Sequence, residues 1–207
     1  MNIIGLSVGP LGTNCYILFN DSEAIIIDPG GEPNKIIEVI NKKEAEVKAI
    51  LLTHAHFDHI GAVGYLRDFY QVDVYVHKEE QSWLGDSQLN GSSAFIGQEI
   101  VTNKAEHELT PGKLEISSFS LKVIHTPGHS PGSVSFVIAE ESIVVGGDVL
   151  FREGIGRTDL PGGSMSQLEN SIRKYFYTLD DDFIVYPGHG PETLIGYEKR
   201  NNPFIRG

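Results

Sequence analysis

A short segment in the first third of the chain carries four side chains that can bind metal ions. His54, His56, Asp58 and His59 fall within six residues, directly after the apolar run 47–52. Imidazole and carboxylate groups suit zinc, iron or manganese, and the absence of thiolates argues against a purely structural zinc site. A loop at the end of a strand can turn several side chains toward one point. The spacing therefore predicts a metal site.

Three later segments each place a histidine or an aspartate after a predicted strand. His129 lies in the Pro- and Gly-containing loop 126–132, Asp148 follows the apolar run 144–147, and His189 follows Tyr186-Pro187-Gly188. Singly, each would be read as a turn histidine or a helix-capping aspartate. Because all three follow strands, one sheet edge can collect them, and we interpret them as further ligands.

The rest of the sequence supplies the elements that must position these residues. A Pro- and Gly-rich break precedes a helix from Pro33, and a polar stretch over 85–97 is predicted to be a loop. No linker separates two blocks, so the sequence predicts a single domain over 1–207. A strand-rich half followed by a similar half predicts an α/β fold with two sheets packed face to face and helices outside. Strands are expected at 3–8, 15–19, 24–27, 47–52, 72–76, 121–124, 133–138, 143–145 and 183–185, and further helices at 62–69 and 165–177.

Composition excludes several functional classes. The 207 residues are 40% hydrophobic, which excludes intrinsic disorder, and carry a net charge of −12. Without clustered Lys and Arg, neither nucleic acid nor an anionic membrane is an expected partner. The single cysteine excludes an internal disulfide framework. With no recognisable signal peptide or long apolar run, we expect a cytoplasmic protein that acts on a small molecule.

Taken in order along the chain, these residues resemble the pattern of the metallo-β-lactamase superfamily, and the resemblance covers nearly the whole sequence. It implies an αββα sandwich of two mixed sheets with the metals at the sheet ends. It also implies that Asp28, within Ile27-Asp28-Pro29-Gly30, orients a ligand histidine, although a plain turn aspartate is the alternative. The implied ligand set is His54, His56 and His129 for one ion, Asp58, His59 and His189 for a second, and Asp148 as the bridge between them.

Within that superfamily the chain is most similar to the glyoxalase II-like thioester hydrolases. The loop 154–159 follows Asp148 at the spacing where these enzymes contact substrate, and Arg157 aligns with a substrate-binding lysine. Asp159 stands where a tyrosine is expected, so the substrate need not be identical. Since little sequence follows His189, the helical domain that binds glutathione in glyoxalase II is not expected here, and the thiol carrier stays open.

The resemblance also implies a mechanism and cofactors. Two divalent ions, zinc first with iron or manganese as alternatives, would activate a bridging water to a hydroxide that attacks the thioester carbonyl. Asp58 would accept the proton of that water, Asp148 would hold both ions, and Arg157 would contact the substrate.

Other functions in the same superfamily are alternatives. Persulfide dioxygenases have a similar His-x-His-x-Asp-His segment and a similar Gly-x-Gly-Arg-Thr-Asp loop, and use one iron. A superfamily nuclease would need a basic surface, which the charge of −12 opposes. A non-catalytic binding module is disfavoured because every ligand position is filled, and a β-lactamase would normally be exported.

Overall fold

The computed structural model describes all 207 residues, and the chain divides into two compact units. The first unit comprises Met1–Leu109 and Glu115–Phe119, and the second comprises Thr110–Leu114 and Ser120–Gly207. Each unit contains its own six-stranded sheet and its own cluster of buried apolar side chains. The single domain over 1–207 stays a prediction.

The sheet of the first unit is mixed. Its strands follow one another in chain order across the sheet. The first three form an antiparallel meander, and the remaining three add in parallel. The strands are β1 (Asn2–Val8), β2 (Thr13–Asn20), β3 (Glu23–Ile27), β4 (Glu46–Leu51), β5 (Val74–His77) and β6 (His107–Leu109).

Helices of the first unit connect its parallel strands. Helix α1 begins at a proline, which is tolerated in the first turn because its missing N–H has no intrahelical partner there. Its residues Ile36, Ile37 and Ile40 are buried, as their helical spacing predicts. The four helices are α1 (Pro33–Lys42), α2 (Phe57–Ile60), α3 (Val63–Tyr70) and α4 (Ser92–Ile96).

The sheet of the second unit is also mixed, in the order β14-β13-β10-β9-β8-β7. Strand β9 is antiparallel to both β8 and β10, whereas β10 and β13 are parallel and β14 is antiparallel to β13. Two short strands, β11 and β12, pair in a separate hairpin. The strands are β7 (Gly112–Ile116), β8 (Phe119–His125), β9 (Val134–Ile138), β10 (Ile143–Gly147), β11 (Leu150–Phe151), β12 (Gly154–Ile155), β13 (Ile184–Pro187) and β14 (Thr193–Leu194).

The second unit has two helices. Helix α5 (Met165–Ser171) begins after Ser164, whose hydroxyl accepts the backbone N–H of Gln167, and continues into a π-helical turn over Ile172–Phe176. Helix α6 (Ile195–Asn201) follows β14. Across the whole chain, no helix combines the length and the apolar character that a membrane span requires.

Two local predictions were wrong. The polar stretch 85–97 contains helix α4, which is bracketed by glycines with positive φ, Gly91 at 86° and Gly97 at 64°. Five residues are too few to show an apolar helical period, so composition alone favoured a loop. Asp58 and His59 lie on helix α2 rather than on a loop, because that helix begins directly after His56, its N-cap residue.

Candidate metal centre

The first group of candidate ligands lies at the carboxyl end of β4. His54 and His56 lie between the end of β4 and the start of α2, and Asp58 and His59 lie on α2. All four side chains are buried. The ring centroid of His54 lies 4.8 Å from that of His56 and 4.1 Å from that of His59, and Oδ2 of Asp58 lies 3.5 Å from Nε2 of His59. The first unit therefore gathers all four predicted ligands of this segment.

Asp28 organises this group from the end of β3. Its backbone is left-handed, with φ of 51°, and its side chain is buried. The carboxylate accepts the backbone N–H of Thr53 at 2.7 Å and the Thr53 hydroxyl at 2.6 Å. The same carboxylate lies 3.0 Å from Nδ1 of His59. Asp28 thus contacts the candidate ligand His59 directly, and it also contacts Thr53, the residue before the candidate ligand His54.

These contacts determine which ring nitrogen carries the proton. Nδ1 of His59 donates to the Asp28 carboxylate, which leaves the lone pair on Nε2. Nδ1 of His54 lies 3.0 Å from the hydroxyl of Thr53. Because that hydroxyl gives its one proton to Asp28, it accepts from His54, whose lone pair is then also on Nε2. Both imidazoles have the tautomer that a metal ligand needs.

Asp58 is held from another direction. The hydroxyl of Thr13, at the start of β2, donates to Oδ2 of Asp58 at 2.7 Å, and both residues are buried. The chain also approaches Asp58 closely at Gly30, where a Cβ atom would lie 1.7 Å from the carbonyl oxygen of Asp58. Only glycine fits at that position.

The second group of candidate ligands lies at one edge of the second sheet. His129, Asp148 and His189 follow β8, β10 and β13, whose carboxyl ends meet at the same edge because the three strands run in the same direction. Oδ2 of Asp148 lies 3.5 Å from Nε2 of His129 and 3.6 Å from Nε2 of His189. The backbone N–H of Gly188 donates to the carbonyl of Gly147, which ties the two loops together.

Arg157 takes part in this group through its backbone. Its carbonyl oxygen lies 2.8 Å from Nδ1 of His129, so the proton is on Nδ1 and the lone pair on Nε2. Its guanidinium forms two hydrogen bonds to Asp159, at 2.7 and 2.8 Å. These bonds lower the pKa of Asp159 to about 2. The Arg157 side chain is half exposed, and its contact with substrate stays a prediction.

The spacing of the ligand atoms fits a metal better than it fits hydrogen bonding. Separations of 3.5 to 3.6 Å between Nε2 and Oδ2 are longer than hydrogen bonds. Two atoms bound to one tetrahedral ion at about 2.1 Å lie roughly 3.4 Å apart. Each unit thus presents imidazoles and a carboxylate at the distances of shared coordination.

Sequence reasoning missed several residues that support these groups. Thr13 is 45 positions from Asp58, and nothing in its neighbourhood signals the contact. Thr53 stands beside His54, but its bond to Asp28 appears only in three dimensions. The carbonyl of Arg157 is a backbone group that no side-chain pattern can indicate.

The two mixed sheets and their histidine–aspartate groups define an α/β protein built to bind metal ions. The model of the metallo-β-lactamase superfamily matches residues 8–189. The chain belongs to the metallo-β-lactamase superfamily, and the predicted fold is confirmed.

Two relatives match the chain along nearly its full length. The chain is 46% identical to the probable metallo-hydrolase YqgX of Bacillus subtilis over 98% of this chain and 96% of the relative. It is 37% identical to the hydroxyacylglutathione hydrolase GloC of Haemophilus influenzae over 99% of this chain and 98% of the relative. The protein is a metallo-hydrolase of this superfamily.

Solved structures of two similar proteins superpose closely. The BLEG-1 B3 metallo-β-lactamase has a TM-score of 0.97 at 47% identity and covers 100% of both chains. The protein TTHA1623, solved in a di-iron-bound form, has a TM-score of 0.88 at 36% identity, with coverage of 98% of this chain and 100% of that one.

Proposed function

We propose that the seven candidate ligands form a dinuclear metal centre that hydrolyses a thioester. The observation that carries the proposal is Oδ2 of Asp148, which lies at nearly equal distances, 3.5 and 3.6 Å, from Nε2 of His129 and His189. If one carboxylate oxygen bridges two ions, it must lie close to a ligand of the first ion and also close to a ligand of the second. In the proposed set, one ion has His54, His56 and His129, the other has Asp58, His59 and His189, and Asp148 bridges them.

Two bound divalent ions would supply an activated water and polarise the carbonyl oxygen of the substrate. The residues of this chain prepare that chemistry. Asp28 and the Arg157 carbonyl hold imidazole protons on Nδ1, so no ring has to change tautomer. The hydroxyl of Thr13 donates a hydrogen bond to Oδ2 of Asp58. This bond orients the Asp58 carboxylate as a proton acceptor for the attacking water. A thiolate leaves readily, so no strong general acid is required.

The substrate class is supported by the similarity to GloC, described as a hydroxyacylglutathione hydrolase. We infer a small-molecule thioester as the partner, with zinc as the first candidate for both ions. The di-iron form of TTHA1623 supports two metals per chain and makes iron the second candidate.

The test combines metal analysis with two assays on the purified protein. We expect two metal ions per chain, hydrolysis of a hydroxyacylglutathione, and loss of that activity after chelation with recovery on adding zinc. A protein that holds one iron and consumes oxygen with a persulfide would instead be a dioxygenase. A metal-loaded protein without thioesterase activity would overturn the substrate assignment.

Hydrolysis of a β-lactam is a second candidate, favoured by the 47% identity to the BLEG-1 B3 metallo-β-lactamase over the full chain. The bond broken would be a strained amide, and the same ligand set would serve. A chromogenic cephalosporin assayed beside the thioester decides between them, because the preferred substrate is the one with the larger kcat/KM. The thioester proposal fails if only the cephalosporin is turned over.

A further inference from the structure

A buried glutamate contacts the segment 54–56, which carries His54 and His56 and which we call the ligand loop. This glutamate follows the ligand loop in the sequence, whereas Asp28 precedes it. Glu80 is fully buried, and its carboxylate accepts the backbone N–H of Ala55 at 3.0 Å. Ala55 lies between His54 and His56, and its own side chain is fully buried. A charged group is rarely buried to this extent without a specific role.

The turn that carries Glu80 is itself fixed by several contacts. It is a single 3-10 turn, Lys78–Glu80, that begins directly after β5. The ring nitrogen Nδ1 of His77 accepts the backbone N–H of Glu79. The side-chain amide of Gln81 forms two hydrogen bonds to the backbone of Ala105, at 3.0 and 3.1 Å. These contacts fix the turn from which the Glu80 side chain extends.

The residues after this turn contact the ligand loop and the residue that follows it. The carbonyl oxygen of Asn90 accepts the backbone N–H of Phe57 at 3.0 Å. The buried ring of Trp83 lies 5.5 Å from the imidazole of His56, centroid to centroid. We call residues 78–90 the cradle segment.

The contacts of the cradle segment alternate with the candidate ligands along the chain. The amides of Ala55 and Phe57 bond to the cradle segment, while the alternate residues His54 and His56 contribute imidazoles. A loop held in this way before metal binding loses less conformational freedom when the ion arrives.

We propose that Glu80 is a positioning residue that sets the metal affinity of His54 and His56 by fixing the backbone between them. This inference rests on the proposed metal centre but not on the identity of the substrate. Its acceptor oxygen is the essential feature, because that oxygen is what holds the Ala55 amide.

Three variants of the full-length protein test the proposal. Glu80→Gln keeps an acceptor oxygen at the same distance along the side chain, and Glu80→Met keeps the volume without it. Glu106→Ala is the matched control, since Glu106 also accepts a backbone N–H, that of Val74 at 2.7 Å, away from the ligand loop. Zinc affinity is measured by competition with a chromogenic chelator, and the Tm of each metal-free variant is recorded.

We expect Glu80→Met to bind zinc at least about 10-fold more weakly, Glu80→Gln to retain most of the affinity, and Glu106→Ala to match the unmutated protein. If Glu80→Met does not fold, Glu80→Asp, which withdraws the carboxylate by one methylene, should show the same weakening. Unchanged zinc affinity in Glu80→Met or Glu80→Asp would overturn the proposal, as would an equal loss in Glu106→Ala.

The measurement of zinc affinity distinguishes a failure of the substrate assignment from a failure of the role proposed for Glu80. An unmutated protein that binds zinc but does not cleave thioesters contradicts the substrate assignment alone. Equal zinc affinities across the variants contradict the role of Glu80 alone.

Discussion

At the scale of single residues, Asp148 presents one oxygen to two imidazoles, and its removal should affect both proposed ions. We predict that Asp148→Ala lowers kcat/KM by at least about 100-fold while the fold is largely retained. The physical reason is that the proposed bridge is lost, so the ions are no longer held together and the pKa of the attacking water rises. Steady-state kinetics, metal analysis and circular dichroism measure the three parts of this prediction.

Asp181→Ala is the control for that variant. Asp181 is an exposed aspartate paired with Lys199 and Arg200 at 2.8 and 3.0 Å. Its removal should leave kcat/KM unchanged. Near-normal hydrolysis by Asp148→Ala would contradict the proposed bridge.

Asp28 allows a sharper substitution, because Asn has the same shape. The Asp28 carboxylate accepts three hydrogen bonds, two from Thr53 and one from His59. An amide cannot accept all of them without presenting its own N–H groups to other donors. We predict that Asp28→Asn weakens zinc binding by about 10- to 100-fold, measured by chelator competition.

The matched control is Asp21→Asn, which makes the same change at an exposed aspartate with nearly the same left-handed φ, 50° against 51°. This control separates the tolerance of the backbone for Asn from the loss of the carboxylate. Equal zinc affinities in the two variants would show that Asp28 does not orient the ligands.

Arg157 is predicted to bind the anionic part of the substrate, and the structure shows what it must release first. Its guanidinium is paired with Asp159 through two hydrogen bonds. We predict that Arg157→Ala raises KM for an anionic thioester and changes KM for a neutral thioester much less, because a ground-state contact is lost. Conversely, Asp159→Asn should lower KM for the anionic substrate.

The effect of Asp159→Asn should not depend on pH over the working range. Hydrogen bonds from Arg157 lower the pKa of Asp159 to about 2, and the pKa of Arg157 is raised by the same pair. The pair is therefore intact above the usual carboxyl pKa of about 4 and is lost only as the pH falls through about 2. The ratio of KM for Asp159→Asn to KM for the unmutated protein should stay constant between about pH 5 and pH 9.

For Arg157→Ala, an equal rise in KM for the anionic and the neutral thioester would mean that the Arg157 side chain only supports its loop.

At the scale of elements, helix α6 is fastened to the β11–β12 hairpin by one buried carboxylate. Glu198 accepts the hydroxyl of Thr193 at 2.6 Å, the backbone N–H of Glu153 at 3.0 Å and the amide of Asn202 at 2.9 Å. Removing it leaves three donors without their acceptor. We predict that Glu198→Ala lowers the free energy of unfolding by about 3 kcal/mol, measured by urea denaturation.

Glu192→Ala is the control for this element, because Glu192 is an exposed glutamate near the start of β14. Its free energy of unfolding should change by less than about 0.5 kcal/mol. A similar change in both variants would mean that the Glu198 network contributes little to stability.

Periodicity in the sequence predicted most of the longer helices and strands, because apolar residues recur on the face that each of them buries. Helix α1 is an example, with its three spaced isoleucines buried as expected. The short strands β6, β11, β12 and β14 were missed, since two or three residues cannot show an alternation. Strand β7 was also missed, because none of its side chains is fully buried. Helix α4 was missed for the same reason.

Candidate ligands were easier to predict than the groups that hold them. Ligands have a restricted chemistry and a fixed spacing, whereas Thr13 and Glu80 are common residues whose role depends on distant partners. Glu79 and Glu80 show the limit clearly: one is exposed and the other is fully buried. Successive residues of a 3-10 turn point about 120° apart, so only the tertiary structure decides which glutamate faces inward.

At the scale of the whole molecule, the net charge of −12 affects the encounter with substrate. An anionic thioester is repelled at long range, and salt screens that repulsion over about 10 Å at 0.1 M. We predict that kcat/KM for an anionic thioester rises with ionic strength, while that for a neutral thioester stays constant. A stopped-flow or steady-state salt series measures both. A fall in kcat/KM for the anionic substrate would point to a dominant local attraction, of which Arg157 is the candidate source.

The contact between Trp83 and His56 has an optical consequence. Trp83 is the one tryptophan in the chain, and its ring lies 5.5 Å from this imidazole. The emission of an indole depends on the groups that contact it, so a cation bound at His56 would change that emission. The tryptophan fluorescence of the protein therefore comes from a single position beside the proposed centre, so the loading of the site can be followed in real time without a label.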